Sequence, residues 1–296
     1  MPSNHEVREE IATVQNPDVV RRKYTRLLSE YTGRNTIIYY SGWLQKQVPR
    51  EQAIHVSVND TDMNGFMTTI SGLDESKGLD LILHTPGGDI AATEALVNYL
   101  KSIFGKDIRA IVPQLAMSAG TMISCACNEI VMGKHSSIGP IDPQINGMPA
   151  HGIIQEFERA RNEIALDAKS IPLWQPIIAK YTPSLIGHCV QSIDLSMQMV
   201  KTWLMDNMLS NNVDPSSDAD KILSYLGSYT DTKSHGRHIP KDVARNLGLK
   251  ITDLESDKEL QDLVLSIHHA TILTLGASTA LKIIENQEGV ALFHNM

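Results

Sequence analysis

Apolar positions recur along this chain with two periods, and the alternation between them gives its plan. Residues 79–84, with Leu79, Leu81, Ile82 and Leu83, are apolar without regular alternation, the mark of a strand buried on both faces. A helical period follows at Ala95, Leu96, Leu100 and Ile103 and predicts a helix over 90–104. Residues 107–113 repeat the strand pattern, interrupted by Arg109, and an apolar helix after Ser118 leads to a short strand over 129–132. Strand, helix, strand, helix in succession predicts a parallel sheet with right-handed crossovers. Upstream, 36–40 and 54–58 read as strands. Met63, Phe66, Met67 and Ile70 predict a helix over 61–73, capped by Asp60 or Thr61.

The flanking segments have a different character. Residues 7–31 are charged and amphipathic, with Val19, Tyr24, Leu27 and Leu28 as the apolar side and Asn16-Pro17 as a break between two helices. After Gln144 the pattern is helical over 153–166, 173–181, 184–209 and 219–226. A polar loop at 234–239 precedes a short helix from Pro240 to Leu247-Gly248-Leu249 and a last strand at Ile251. The apolar runs 260–275 and 279–285 read as a C-terminal helical extension, and no internal repeat or low-complexity tract interrupts the order.

Composition narrows the function classes. At 296 residues, 42% hydrophobic and 20% charged, the chain has the profile of a soluble globular protein with one large core and an appendage. A net charge of -8 and the lack of any dense Lys and Arg run argue against a nucleic-acid partner. The polar N-terminal stretch and the absence of any apolar run of roughly 18 residues argue against a signal peptide or membrane span, so a cytoplasmic protein is expected. Cys125, Cys127 and Cys189 fall in apolar helical stretches and read as buried thiols. A lone C-x-C pair is a poor zinc signal, so no metal or cofactor is expected. Trp43, Trp174 and Trp203 read as packing or interface residues. Met197, Met205 and Met208 share a helix face suited to core or a subunit interface. No Walker motif is present, so an ATPase acting with this chain would be a separate protein.

The candidate chemistry gathers at the carboxyl ends of the predicted strands, where parallel sheets place their sites. Ser118 stands at a strand-to-helix corner, where a hydroxyl is exposed and the free N–H groups of the first helical turn can stabilise an anion. Thr85-Pro86-Gly87-Gly88-Asp89 ends the neighbouring strand, and glycine lets backbone donors approach a substrate without a Cβ in the way. Each alone has a plainer reading: an N-cap for Ser118, a tight connection for the glycines, a helix-dipole partner for Asp89. Together they predict a nucleophilic serine beside an oxyanion hole.

The ordered motifs His84-Thr85-Pro86-Gly87-Gly88, Ala116-Met117-Ser118-Ala119-Gly120-Thr121 and Ser137-Ile138-Gly139-Pro140-Ile141-Asp142-Pro143-Gln144 resemble the Clp-class serine peptidases of crotonase-like fold. The serine dehydrogenase proteinase family, related to signal peptide peptidase A and the Clp proteolytic subunit, is the nearest in pattern. The resemblance spans roughly 31–251 and implies an α/β fold, a ββα spiral with parallel sheets and added C-terminal helices. It also implies a Ser118 nucleophile, an oxyanion hole from Gly87 or Gly88 with Ala119, a peptide or protein substrate and a homo-oligomer. The implied organisation is an N-terminal helical segment (1–35), a catalytic domain (36–256) with a helical insertion at about 152–228, and a C-terminal helical extension (257–296).

The general base is left open between two histidines. The Clp subunit's histidine, about two dozen residues after the serine, has no counterpart here, where Ile141-Asp142-Pro143 stands instead. Similarity to the signal peptide peptidase branch places His151 near that branch's lysine, and similarity to the Clp subunit places His235 near its catalytic aspartate. Histidine's ordinary titration range suits the role. His235 is the first choice and His151 the second. Asp142 is the orienting carboxylate or a turn residue, and His135 and His238 read as surface residues. Rival readings on the same fold are a crotonase-like acyl-CoA enzyme and a non-catalytic assembly protein.

Overall fold

The computed structural model describes residues 3–295; Met1, Pro2 and Met296, at the ends of the two terminal segments, lie outside them. Asn4–Val14 (α1) and Pro17–Thr32 (α2) are separate helices because Asn16 caps the second: its side chain accepts the Asp18 N–H, and Pro17 fills a turn that needs no N–H. Leu28 faces inward as expected, but Val19 and Leu27 are exposed and Val20 takes the buried place. The expected first strand is Asn35–Ser41 (β1).

The strand expected over 54–58 does not form. Arg50–Val56 is a 3₁₀ turn, and Val58 alone makes a single bridge, to Gly88. A strand needs a free edge, and both edges of β1 are already taken by neighbouring strands. The next helix is Asp62–Ile70 (α3), with Thr61 at its N-cap making no side-chain cap bond, and it ends short of Leu73. Leu79–His84 (β2) then leads through the glycine turn into Ile90–Phe104 (α4), where the Asp89 carboxylate accepts the Ala92 N–H at 2.8 Å. Ile108–Val112 (β3), Leu115–Ala116 (β4), Ala119–Ala126 (α5), Glu129–Met132 (β5) and Ser137–Ile138 (β6) follow.

A small hairpin, Gln144–Ile145 (β7) and Met148–Pro149 (β8), opens the helical region. That region comprises Ala150–Leu166 (α6), Ile171–Ile178 (α7), Leu185–Asp206 (α8), Pro215–Leu226 (α9) and Tyr229–Thr232 (α10). Ile239–Pro240 (β9), Lys241–Leu247 (α11), Ile251–Asp253 (β10), Lys258–Ala277 (α12), Ala280–Asn286 (β11) and Ala291–Asn295 (β12) complete the described chain. Residues 257–296 are therefore not a purely helical extension. After α12 the chain returns as an antiparallel hairpin that widens the central sheet, and β11 is buried along its whole length. Its polar Lys282, Glu285 and Asn286 broke the apolar pattern and concealed the strand.

The central sheet runs β10-β5-β3-β2-β1-β11-β12, parallel from β10 to β1 and antiparallel beyond. Leu79, Leu81 and Leu83 pack on one face against α4, α5, α8 and α9, while Ile38, Tyr40, Ile82 and Val131 pack on the other against α2 and α12. Covering on both faces explains why these strands read as unbroken apolar runs. Arg109, which interrupts β3, pairs with the fully buried Asp80 of β2 across the β2–β3 register, Nη2 to Oδ2 at 2.7 Å. All three cysteines are buried and unpaired, and burial pushes the thiols of Cys125 and Cys127 up, away from the reactive thiolate. Trp174 and Trp203 are buried packing residues. Among the described residues no helix is long and apolar enough to cross a membrane.

Candidate active site

The glycine turn and the serine corner lie side by side because β2 and β4 overrun the central sheet together. Thr85 bridges Ala116: its N–H donates to the Leu115 carbonyl at 3.0 Å and its carbonyl accepts the Met117 N–H at 3.0 Å. Two residues on, Ser118 has φ 50 and ψ -113, a left-handed conformation that is strained for a residue with a Cβ. It occupies the N-cap of α5 yet makes no capping bond, and among the described residues its hydroxyl makes no hydrogen bond at all. An N-cap role therefore does not consume this serine.

Gly87 and Gly88 are required by contact as well as conformation. Gly87 has φ +102, and a Cβ there would stand 2.5 Å from the Ser118 Cβ; a Cβ on Gly88 would stand 2.2 Å from the Val58 carbonyl oxygen. Their amides differ in use. The Gly87 N–H donates to Thr85 Oγ1 at 3.2 Å, whereas those of Gly88 and Ala119 donate to nothing among the described residues. The Ala119 N–H thus follows the serine directly, at the start of a helix whose dipole adds partial positive charge, and Gly88 lines the same cleft as Ser118.

Asp142 and His235 are brought together by a second, three-stranded sheet, β4-β6-β9. Ile138 of β6 pairs antiparallel with Ile239 of β9. Four residues forward from Ile138 is Asp142 and four back from Ile239 is His235, so both leave the ladder in the same direction. They meet with His235 Nδ1 2.8 Å from Asp142 Oδ1, the carboxylate buried and the imidazole 27% exposed. Asp142 is thus more than a turn residue. Its other oxygen accepts the Gln144 side-chain N–H at 2.8 Å.

Ser118, Gly87, Gly88, His235 and Gln144 line one cleft of about 490 Å³, whose apolar walls include Ile90, Met122, Ile141, Ile145 and Leu195. Ser118 and His235 face this cleft without a direct hydrogen bond to each other. His151 is not brought there; it starts α6 and lines a separate cavity with Ile193, Leu223 and Tyr229. His135 and His238 are exposed. His84 of the motif is a buried packing residue, its ring 4.4 Å from that of Trp43. Burial lowers its pKa to about 3, the Leu115 carbonyl offsetting part of that cost.

Three residues at or beside the site are not evident from the sequence. Val58 reads as part of a strand but bridges Gly88, Gln144 stands in a motif yet bonds Asp142, and His188 on α8 lines the cleft. A polar side chain two residues from a candidate aspartate was a usable signal for Gln144. His188 gave none, because its helix is remote in sequence. Among the described residues no group of three or more His, Cys, Asp and Glu is arranged to hold a metal ion, so none is assigned to one.

Residues 52–180 match the family model described as ClpP-like SDH-type serine proteinase, a span short of half the chain that holds the glycines, Ser118 and Asp142 but stops before His235. Two relatives from Methanocaldococcus jannaschii are named uncharacterized proteins. One is 37% identical over 98 residues, covering 33% of this chain and 34% of its own; the other is 35% identical over 112 residues, covering 38% of each. A third, named Putative protease MJ0651 from the same organism, is 30% identical over 85 residues, covering 28% of this chain and 27% of its own. The chain thus spans about a third of the length of the curated relatives it matches. No solved structure matches.

Proposed function

We propose that this chain, which carries the sequence of the ClpP-like SDH-type serine proteinases over residues 52–180, is a serine endopeptidase that works through an acyl-enzyme on Ser118. The observation that carries the reading is the His235–Asp142 pair at 2.8 Å, opening on the same cleft as a strained serine with a free hydroxyl. The name of the third relative points the same way.

In this reading Ser118 Oγ attacks the peptide carbonyl carbon while His235 Nε2 takes its proton. Asp142 holds the Nδ1–H and so fixes the tautomer that leaves Nε2 basic. The oxyanion is received by the Gly88 and Ala119 N–H groups, each such donor contributing on the order of 3 kcal/mol to the transition state. Gly87 serves by its shape, since its amide is engaged by Thr85. His235 then returns the proton to the leaving amine, and water, deprotonated by the same nitrogen, hydrolyses the ester. Ser118 and His235 close to hydrogen-bond distance when substrate fills the cleft, as catalytic bonds that are long in an empty site commonly do.

The central sheet, with the small sheet beyond the carboxyl end of its middle strand β2, is consistent with a crotonase-like ββα spiral, in which 36–256 would be the catalytic domain and α6 to α9 an insertion. Homo-oligomeric assembly and a cytoplasmic location belong to the same proposal. Digestion of an unfolded protein such as casein, with new termini mapped by mass spectrometry, tests it. New termini should appear with wild type and with His151→Ala, and not with Ser118→Ala or His235→Ala. Cleavage by Ser118→Ala at the wild-type rate refutes the reading.

A further inference from the structure

We propose that the buried ion pair between Lys282 and Asp62 is a positioning device for catalysis, which fixes the strap at residues 57–59 and, through Val58, sets the Gly87-Gly88 turn against Ser118. It rests on the peptidase reading above, because the turn matters as an oxyanion donor.

Lys282 comes from β11 and is fully buried. Its ammonium pairs with the Asp62 carboxylate at the start of α3 and donates to the Ser57 carbonyl at 2.8 Å. The other Asp62 oxygen accepts the Asn59 N–H at 3.0 Å and the Tyr39 hydroxyl at 2.8 Å. The residue on each side of Val58 is therefore tied to the same pair. Val58 itself uses both backbone groups on the turn: its N–H donates to the Gly87 carbonyl at 2.8 Å, and its carbonyl accepts the Asp89 N–H at 2.9 Å.

The stack from strap to turn to serine has no slack. A single added Cβ on either glycine would meet Val58 or Ser118 at 2.5 Å or less, so a shift of the strap is passed to the turn. Buried ion pairs are frequently matched or bettered in stability by apolar residues of similar volume, so stability alone does not account for placing one here. An oxyanion donor does account for it, because misplacement by about 1 Å costs on the order of a hundredfold in rate. Arg21 and Glu285 form a second fully buried pair, with its carboxylate on the same strand, that touches none of the strap. It provides the control.

The test is the saturation kinetics of fluorophosphonate labelling at Ser118, at a temperature where circular dichroism shows each variant folded. Lys282→Met should lower the limiting labelling rate by about 10- to 100-fold with the half-saturation concentration within about twofold of wild type. Tyr39→Phe, which removes one bond to Asp62, should lower it by about threefold. Arg21→Met should leave it within about twofold. Amide hydrogen exchange over 56–62 and 86–90 should accelerate in Lys282→Met and not in Arg21→Met. Unchanged labelling by folded Lys282→Met, or an equal loss in Arg21→Met, overturns the proposal. If Lys282→Met does not fold, Tyr39→Phe decides, and wild-type labelling by that variant overturns it. Wild type that is never labelled at Ser118 overturns the peptidase reading and this inference with it, whereas labelled wild type beside an unaffected Lys282→Met overturns this inference alone.

Discussion

Ser118 stores strain at φ 50 while its hydroxyl stays unbonded, and the two glycines beside it cannot carry a side chain. Gly87→Ala would bring a Cβ to 2.5 Å from the Ser118 Cβ at a φ that disfavours it. Turnover in that variant should fall at least about a hundredfold, measured as kcat on any cleaved peptide, with most of the fold retained. Gln144 offers a gentler probe: Gln144→Leu leaves Asp142 Oδ2 without its side-chain partner, and kcat should fall by about 3- to 10-fold with little change in KM, a loss of one modest hydrogen bond. At this scale the serine and glycines were legible in the sequence because small residues at strand ends have a geometric cause. Which histidine serves was not legible, since His235 reaches Asp142 only through the pairing of β6 with β9, a contact between segments about a hundred residues apart.

The decisive element is the small sheet β4-β6-β9, which carries Ser118, Asp142 and His235 at its ends. Its strands are two residues long and show no periodicity, so the pattern of the chain revealed the large sheet and concealed this one. Thr121 ties α5 to this sheet. Its hydroxyl lies 2.9 Å from both the Ala116 and Gly139 carbonyls and accepts the Gly139 N–H at 2.9 Å. Thr121→Val keeps the shape and leaves these buried groups unpaired. It should cost about 1–3 kcal/mol in denaturant unfolding and lower activity further than a surface substitution of equal stability cost. The C-terminal hairpin was hidden for a related reason: Lys282 and Glu285 are fully buried, and their partners Asp62, the Ser57 carbonyl, Arg21 and Arg22 make that tolerable.

On the scale of the whole molecule, two histidines link stability to pH. His84 and His268 are buried near each other beneath Tyr40, their rings 5.4 Å apart. Burial holds the pKa of His84 down to about 3 and that of His268 well below its ordinary value, with the nearby His84 charge adding to the second. In the unfolded chain each titrates near its ordinary value of about 6.5. The unfolded state therefore gains protons that the folded state refuses. The stability that rests on keeping these two rings neutral is fully present above about pH 6.5 and declines toward pH 3, by about 1.4 kcal/mol per pH unit for each such histidine. Denaturant titrations at pH 7 and pH 5 should show this decline, and His84→Phe should reduce it by about 2 kcal/mol over that interval. An identical decline in His84→Phe would remove His84 from the account. The central claim, a nucleophile at Ser118 activated by His235, is tested most directly by intact mass after fluorophosphonate treatment. One adduct is predicted on wild type, none on Ser118→Ala and a slow, partial one on His235→Ala. The same adduct on Ser118→Ala, or full-rate labelling of His235→Ala, would contradict it.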